Sequence, residues 1–394
     1  MTTTATRIST LPVPTGRYAV GRTTLELVDR DRPEIYSTDP SARRELVLWT
    51  WYPAEVEPAA QRAEYLPGAW LTISQAIGLD VAGMPTHAVT DAPMAHDERT
   101  YPVLLLAPSG FSPLLMTAIG EELASHGYVV VGVNPTYESP VTVFADGRVV
   151  PMNPAAVGGA LGPQTGPHEE AFRARAAVCD YKAADFASVS RYLARLHAGL
   201  EPRPGERFTG RLDLSRIAAL GHSFGGDAAL EWCRTDPTCR AAVNLDGALW
   251  TEVGRSGLDR AALQLLTDHS EFAVSSEQAV ANGMAPDAAW FEAEKAITFG
   301  GWRTVGGHTE TAVTVQIAGA KHLSFMDVPF LATTEQSPVK SMLAATTIDP
   351  ERMWRITNDF LLSFFAKHLD GVPAALLTGP SAAYPEVHFG APDL

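Results

Sequence analysis

The residues best suited to chemistry are Gly221-His222-Ser223-Phe224-Gly225. A serine with glycine two positions away on each side is the pattern of a nucleophile elbow. In that turn from strand to helix the neighbours must be small, and the serine hydroxyl is held above a sheet. The flanks suit the motif, with an apolar run at 217–220 before it and a helical pattern after it. In this geometry the backbone N–H of Phe224 faces a developing oxyanion. A hydroxyl is a weak nucleophile and needs a base. His322 follows the apolar run 313–318, at the carboxyl end of an expected strand, where open α/β sheets gather functional side chains. Among the other histidines, His126 falls at a helix end, His222 inside the elbow and His368 near the end of the closing helix. His308, in a glycine-rich loop, is the rival base.

An acid must orient the base and stabilise its protonated form. Asp246 ends the run 241–245 and Asp268 follows 262–266. Either gives the chain order Ser…Asp…His of this fold, and spacing alone leaves both open. The second oxyanion donor is expected in Pro108-Ser109-Gly110-Phe111, after the run 103–107. Proline has no N–H to give, so Ser109 or Gly110 must supply it, and Ser109 joins Phe224 as the expected pair. Gly110, Phe111, Trp250 and Phe325 lie within a few residues of these elements and are the expected lining of an apolar acyl pocket.

The elements that position these residues are legible as alternating patterns. Residues 23–28 and 46–51 read as strands, the second with alternating Val47, Trp49 and Trp51. From about residue 100, continuous apolar runs at 103–107, 128–133, 217–220, 241–245, 262–266 and 313–318 alternate with helical periods. Such runs suit strands buried on both faces. Met116, Ile119 and Leu123 share a helix face that ends at His126-Gly127, and Phe186, Val189, Leu193 and Leu196 mark a longer helix. Met353, Ile356, Phe360 and Phe364 mark a closing helix. The pattern predicts one α/β domain over 1–394: a mostly parallel central sheet, helices on both faces and an antiparallel N-terminal edge. Residues 134–168, rich in Pro and Gly without a period, are expected to be a lid-like loop. Residues 271–300 are expected to be a helical insertion.

Composition bounds the function. The 394 residues carry 30 Lys and Arg against 45 Asp and Glu, a net charge of −15. That excess argues against nucleic acid, whose binding needs a basic footprint, and gives no general attraction to anionic membranes. Stable membrane insertion is not expected, since no apolar run is long enough to span a bilayer. The eleven histidines are scattered with no metal-ligand spacing, so neither metal nor cofactor is expected. Residues 1–7 contain no apolar stretch of a secretory signal. With three cysteines, Cys179, Cys233 and Cys239, the expected compartment is the cytoplasm. Cys233 and Cys239 are near enough to bridge, but free thiols are expected there.

GHSFGG at 221–226, LDG at 245–247, the run 118–127 and the His322 loop together resemble the platelet-activating factor acetylhydrolase family of α/β-hydrolases, in its plasma-type and bacterial branch. The resemblance extends over roughly residues 12–390, including Pro12-Val13-Pro14-Thr15-Gly16-Arg17-Tyr18 and Trp51-Tyr52-Pro53. It implies that the acid follows the strand next after the nucleophile helix, at Asp246. It also implies a calcium-independent serine esterase acting on short or oxidised acyl chains of phospholipids and related esters. One departure is visible: the family usually has His-Gly in the oxyanion loop, where this chain has Pro108-Ser109-Gly110.

The expected function is therefore a serine carboxylester hydrolase working through an acyl-enzyme on a small-molecule ester, with acyl chains of about two to six carbons favoured by a pocket of limited depth. The same acyl-enzyme would serve an acyltransferase, thioesterase or cyclase. A catalytically idle ligand receptor on this fold would usually lack a triad member, and here a full set is available.

Overall fold

The computed structural model describes residues 10–97, 99–161, 166–308, 310–334 and 337–392. The expectation for residues 1–7 lies outside them. The chain opens with β1 (Ala19–Pro33), β2 (Arg43–Ala54), β3 (Arg62–Glu64), α1 (Thr72–Ile77) and β4 (Pro85–Thr90). The alternating region follows as β5 (Tyr101–Ala107), α2 (Thr117–Ser125), β6 (Val129–Pro135), β7 (Val141–Val143), β8 (Val149–Pro151), α3 (Pro154–Leu161) and α4 (His168–His197). Then come β9 (Leu212–His222), α5 (Phe224–Thr235), β10 (Cys239–Leu245), α6 (Val253–Ser256) and β11 (Ala261–Leu266). The last part holds α7 (Ser276–Ala281), α8 (Ala288–Gly306), β12 (Ala312–Ile317), α9 (Pro338–Leu343), α10 (Pro350–Asp370) and β13 (Val387–Phe389).

The large sheet has the order β13-β12-β11-β10-β9-β5-β6-β2-β1-β4-β3. Its centre, from β6 through β12, is parallel, and β2 joins it antiparallel with Trp49 opposite Gly132. This is an α/β-hydrolase fold whose N-terminal side is largely antiparallel as expected: β1 pairs antiparallel with β2, β4 joins β1 parallel, and β3 closes the edge antiparallel to β4. One cluster of buried side chains joins Leu104, Leu106, Leu220, Val243 and Leu263 to Phe360 and Phe364 of α10. A second joins Val103, Leu105, Ala219 and Ala242 to Phe186 and Leu193 of α4. Alternate residues of each central strand thus face opposite helical layers, which is why those strands read as unbroken apolar runs.

Three differences from the sequence reading have physical reasons. Residues 134–168 are not one structureless loop: β7 and β8 pair as a hairpin and α3 follows, with 162–165 outside the described residues. These elements are too short to show a period. Short strands β3, β4 and β13 were not anticipated either, because edge pairing of three to six residues depends on the neighbouring strand. Finally, Cys233 and Cys239 form a disulfide, not the expected pair of thiols. The end of α5 and the turn at Asp236-Pro237 bring their Cα atoms to 5.0 Å, within bridging range. Among the described residues no helix is long and apolar enough to cross a membrane.

Candidate active site

The elbow is built as its glycines demand. Ser223 joins β9 to α5 with φ 58° and ψ −126°, a conformation costly for a residue with a side chain. A Cβ on Gly221 would lie 2.0 Å from the Gly225 carbonyl oxygen, and one on Gly225 would lie 2.0 Å from that of Ala107. The helix start therefore sits directly against the ends of β9 and β5, which brings Pro108 beside the Ser223 turn. The Ser223 N–H continues the sheet by donating to the Leu245 carbonyl at 3.0 Å.

Asp246 leaves β10 one residue later, also at positive φ (57°), and its N–H donates to the Leu265 carbonyl at 2.9 Å. Its side chain is fully covered and both oxygens are saturated. Oδ2 accepts from His322 Nδ1 at 2.8 Å and from the Thr267 hydroxyl at 3.2 Å; Oδ1 accepts from the Thr267 N–H at 2.8 Å and from His269 Nε2 at 2.8 Å. Burial alone would raise the Asp246 carboxyl. The charge of His269 and hydrogen bonds from both imidazoles reverse this and hold it well below the usual carboxylate range.

His322 begins a short turn after β12 and its side chain is 44% exposed. Since a carboxylate only accepts, Nδ1 carries the proton and Nε2 is left as the basic nitrogen. The ring lies against His222, with centroids 4.4 Å apart, so the residue before Ser223 carries the imidazole to the elbow. His222 Nε2 donates to the His322 carbonyl at 2.8 Å. Burial, with the nearby His322 charge, pushes His222 down to about 3, so it is a neutral strut.

The sequence reading missed His269. It follows β11 at positive φ (46°) among aromatic rings, its own ring lying 4.6 Å from that of Trp302 and 6.2 Å from those of Phe272 and Phe299. Its Nδ1 is 3.3 Å from Glu271 Oε1. Burial would lower it, but Asp246 and then Glu271 outweigh that and raise it to about 9. Ser223, Asp246 and His269 are three of the five non-glycine residues with positive φ among those described; backbone strain is concentrated here. The signal available in the sequence was position: His269 follows its strand as Asp246 follows the neighbouring one.

The remaining expected residues are distributed unevenly. Asp268 is not on His322 but 2.7 Å from Lys321 Nζ. His308 pairs with Asp259 at 2.9 Å, away from the elbow. Gly110 and Phe111 are half-buried, whereas Trp250 and Phe325 are 4% and 3% exposed. Trp250 packs with Phe224, Val178 and Cys179, and Phe325 lies in the large core cluster. The Trp250 segment is tied to α5 by Asp227, which accepts from the N–H groups of Trp250 (2.8 Å) and Thr251 (3.1 Å).

A strained serine on an elbow, beside an imidazole held by a buried carboxylate, is the arrangement of an acyl-transferring hydrolase. A family model described as "Platelet-activating factor acetylhydrolase, isoform II" matches residues 203–372, the stretch that holds Ser223, Asp246, His269 and His322. The chain is a serine carboxylester hydrolase, similar over this stretch to the platelet-activating factor acetylhydrolase family. A protein of Arthroderma benhamiae named "Probable 1-alkyl-2-acetylglycerophosphocholine esterase" is 24% identical, with 96% of this chain and 93% of that protein covered. The structure of a ferulic acid esterase from Streptomyces cinnamoneus superposes with a TM-score of 0.73 at 29% identity, covering 97% of this chain and 99% of the other.

Proposed function

We propose that Ser223, His322 and Asp246 form the triad of an esterase for short acyl groups. Ser223 Oγ forms a bond to the ester carbonyl while His322 Nε2 takes its proton. The C–O bond to the alcohol then breaks and His322 returns the proton to the departing oxygen. Water, activated by the same nitrogen, releases the acid and frees the serine. Asp246 fixes the tautomer and balances the imidazolium. The N–H groups of Phe224, at the start of α5 where helix amides lack internal acceptors, and of Ser109 receive the oxyanion. The half-buried Gly110 and Phe111 form the near wall of the acyl site.

The observation that carries this reading is the 2.8 Å contact between His322 Nδ1 and Asp246 Oδ2, beside a serine strained as an elbow nucleophile. Likeness to the Arthroderma benhamiae esterase supports an acetylated glycerophosphocholine as substrate. A second reading, an ester of an aromatic acid, is favoured by likeness to the ferulic acid esterase across nearly the whole chain. The Cys233–Cys239 bridge favours an oxidising compartment over the cytoplasm expected from the sequence.

Steady-state kinetics on p-nitrophenyl esters of two to twelve carbons, beside an acetylated glycerophosphocholine and a methyl ferulate, test the substrate. The proposal expects the highest kcat/KM at two to six carbons and turnover of the acetyl phospholipid. A preference for the ferulate, or a rate that climbs steadily to twelve carbons, contradicts it.

A further inference from the structure

We propose that His269 is a positioning residue for this reaction: as an imidazolium fixed on the second oxygen of Asp246, it holds that carboxylate toward His322 and tempers its pull on the His322 proton. The inference rests on the triad reading above and goes beyond it.

Geometry assigns the charge. His269 lies between two carboxylates, 2.8 Å from Asp246 Oδ1 through Nε2 and 3.3 Å from Glu271 Oε1 through Nδ1. The Glu271 contact is an ion pair without hydrogen-bond alignment, which leaves Nδ1 with no hydrogen-bond partner among the described residues. A buried imidazole between two carboxylates is still favoured as the cation, and its elevation to about 9 agrees. Thr267 Oγ1 is 3.4 Å from Nε2, and the other faces of the ring meet Phe272, Phe299 and Trp302. Beyond Glu271 stands Lys321, whose Nζ is 2.8 Å from Glu271 and 2.7 Å from Asp268. Across Asp246 stand His322 and, against it, His222. A ring of charges thus closes from Lys321 through Glu271, His269 and Asp246 to His322, the residue next to Lys321 in the chain.

This closure has two effects. It adds a charged partner to the Thr267 bonds that already hold Asp246, on the oxygen that His322 does not use, so the orientation given to His322 does not depend on the His322 bond alone. It also sets a cation on the far side of the carboxylate. When His322 gains a proton, it meets a carboxylate already partly neutralised, and a nearby like charge disfavours protonation. His322 then stays a free base to lower pH than it would beside Asp246 alone, which extends activity into mildly acidic conditions.

Glutamine places its amide nitrogen near the position of Nε2 and keeps a donor without the charge. The test is the pH profile of kcat/KM on p-nitrophenyl acetate for wild type and His269→Gln, with Ser223→Ala as a control. The proposal expects the acid limb of His269→Gln to move up by about one pH unit. It would lose about tenfold in kcat/KM at pH below the limb and little on the plateau. A uniform loss with an unmoved limb reveals a merely structural role and overturns the inference, as does a superimposable profile. Activity retained by Ser223→Ala would instead overturn the triad reading. If His269→Gln does not fold, 15N-histidine NMR of the wild-type protein decides: His269 must carry protons on both ring nitrogens at pH 7.5, and a singly protonated ring there overturns the proposal.

Discussion

Lys321 Nζ lies 2.7 Å from Asp268 Oδ1, so the carboxylate that rivalled Asp246 in the sequence is held by the lysine next to His322 instead of by His322 itself. The Lys321 ammonium, with hydrogen bonds from Ser270, holds Asp268 down at about 2, and the pair braces the His322 turn from outside. The two aspartates should therefore respond very differently to replacement. Asp246→Asn is expected to keep the fold and lower kcat by about 10⁴, since His322 loses its tautomer and its charge partner. Asp268→Asn should cost less than about threefold, as the pair is only partly buried. Parallel kcat measurements on p-nitrophenyl acetate check both, and a reversed ranking would mean that the acid had been misassigned.

The raised His269 gives a sign to the alkaline dependence of stability. Its ordinary value is 6.5 and the folded value about 9. Between those values the folded state holds a proton that the unfolded state has lost. Its contribution is complete below about 6.5 and is lost as pH rises through 9. The melting temperature should fall across that window, and fall less steeply in His269→Gln. Thermal scans from pH 6 to pH 10 read this directly; identical slopes for the two proteins would refute it.

Arg44 is buried completely and joins three carboxylates: Asp185 at 3.0 and 2.6 Å, Glu34 at 3.0 Å and Glu138 at 2.8 Å. It links β2 to α4 and to the segment after β6. Arg44→Met would leave the three acids facing one another with only Arg32 on Asp185 and Lys182 on Glu138 to offset them. A loss of about 3–5 kcal/mol is expected, measured by urea unfolding; a cost under about 1 kcal/mol would show that the acids find other partners.

The Cys233–Cys239 bridge closes a short loop at the end of α5, far along the helix from Ser223. Chain entropy for so small a loop gives about 2 kcal/mol. The double variant Cys233→Ser, Cys239→Ser should melt a few degrees lower with kcat on p-nitrophenyl acetate unchanged. Unchanged melting would mean that the bridge adds no constraint.

What the sequence made legible was local or continuous. The Ser223 turn is specified by glycines that a Cβ would push into Gly225 and Ala107, and the central strands by apolar runs buried on both faces. The family resemblance, not the spacing, singled out Asp246 from Asp268; both candidate acids and His322 stood out because each follows such a run. His269 follows one too, but its partner is Asp246, 23 positions earlier, and only the parallel pairing of Leu245 with Leu265 brings them together. Burial of Trp250 and Phe325 was equally hidden, because nearness in the chain to a catalytic element does not say which way a ring faces. The disulfide depended on how tightly the turn at Asp236-Pro237 closes.

The central claim is that Ser223 is the nucleophile. Its most direct test is intact-protein mass spectrometry after exposure to a fluorophosphonate probe, followed by peptide mapping of the adduct. The account predicts one adduct per chain, on the peptide holding Ser223, with activity lost in proportion and no labelling of Ser223→Ala. An active enzyme that stays unlabelled, or an adduct on another residue that abolishes activity, would contradict it.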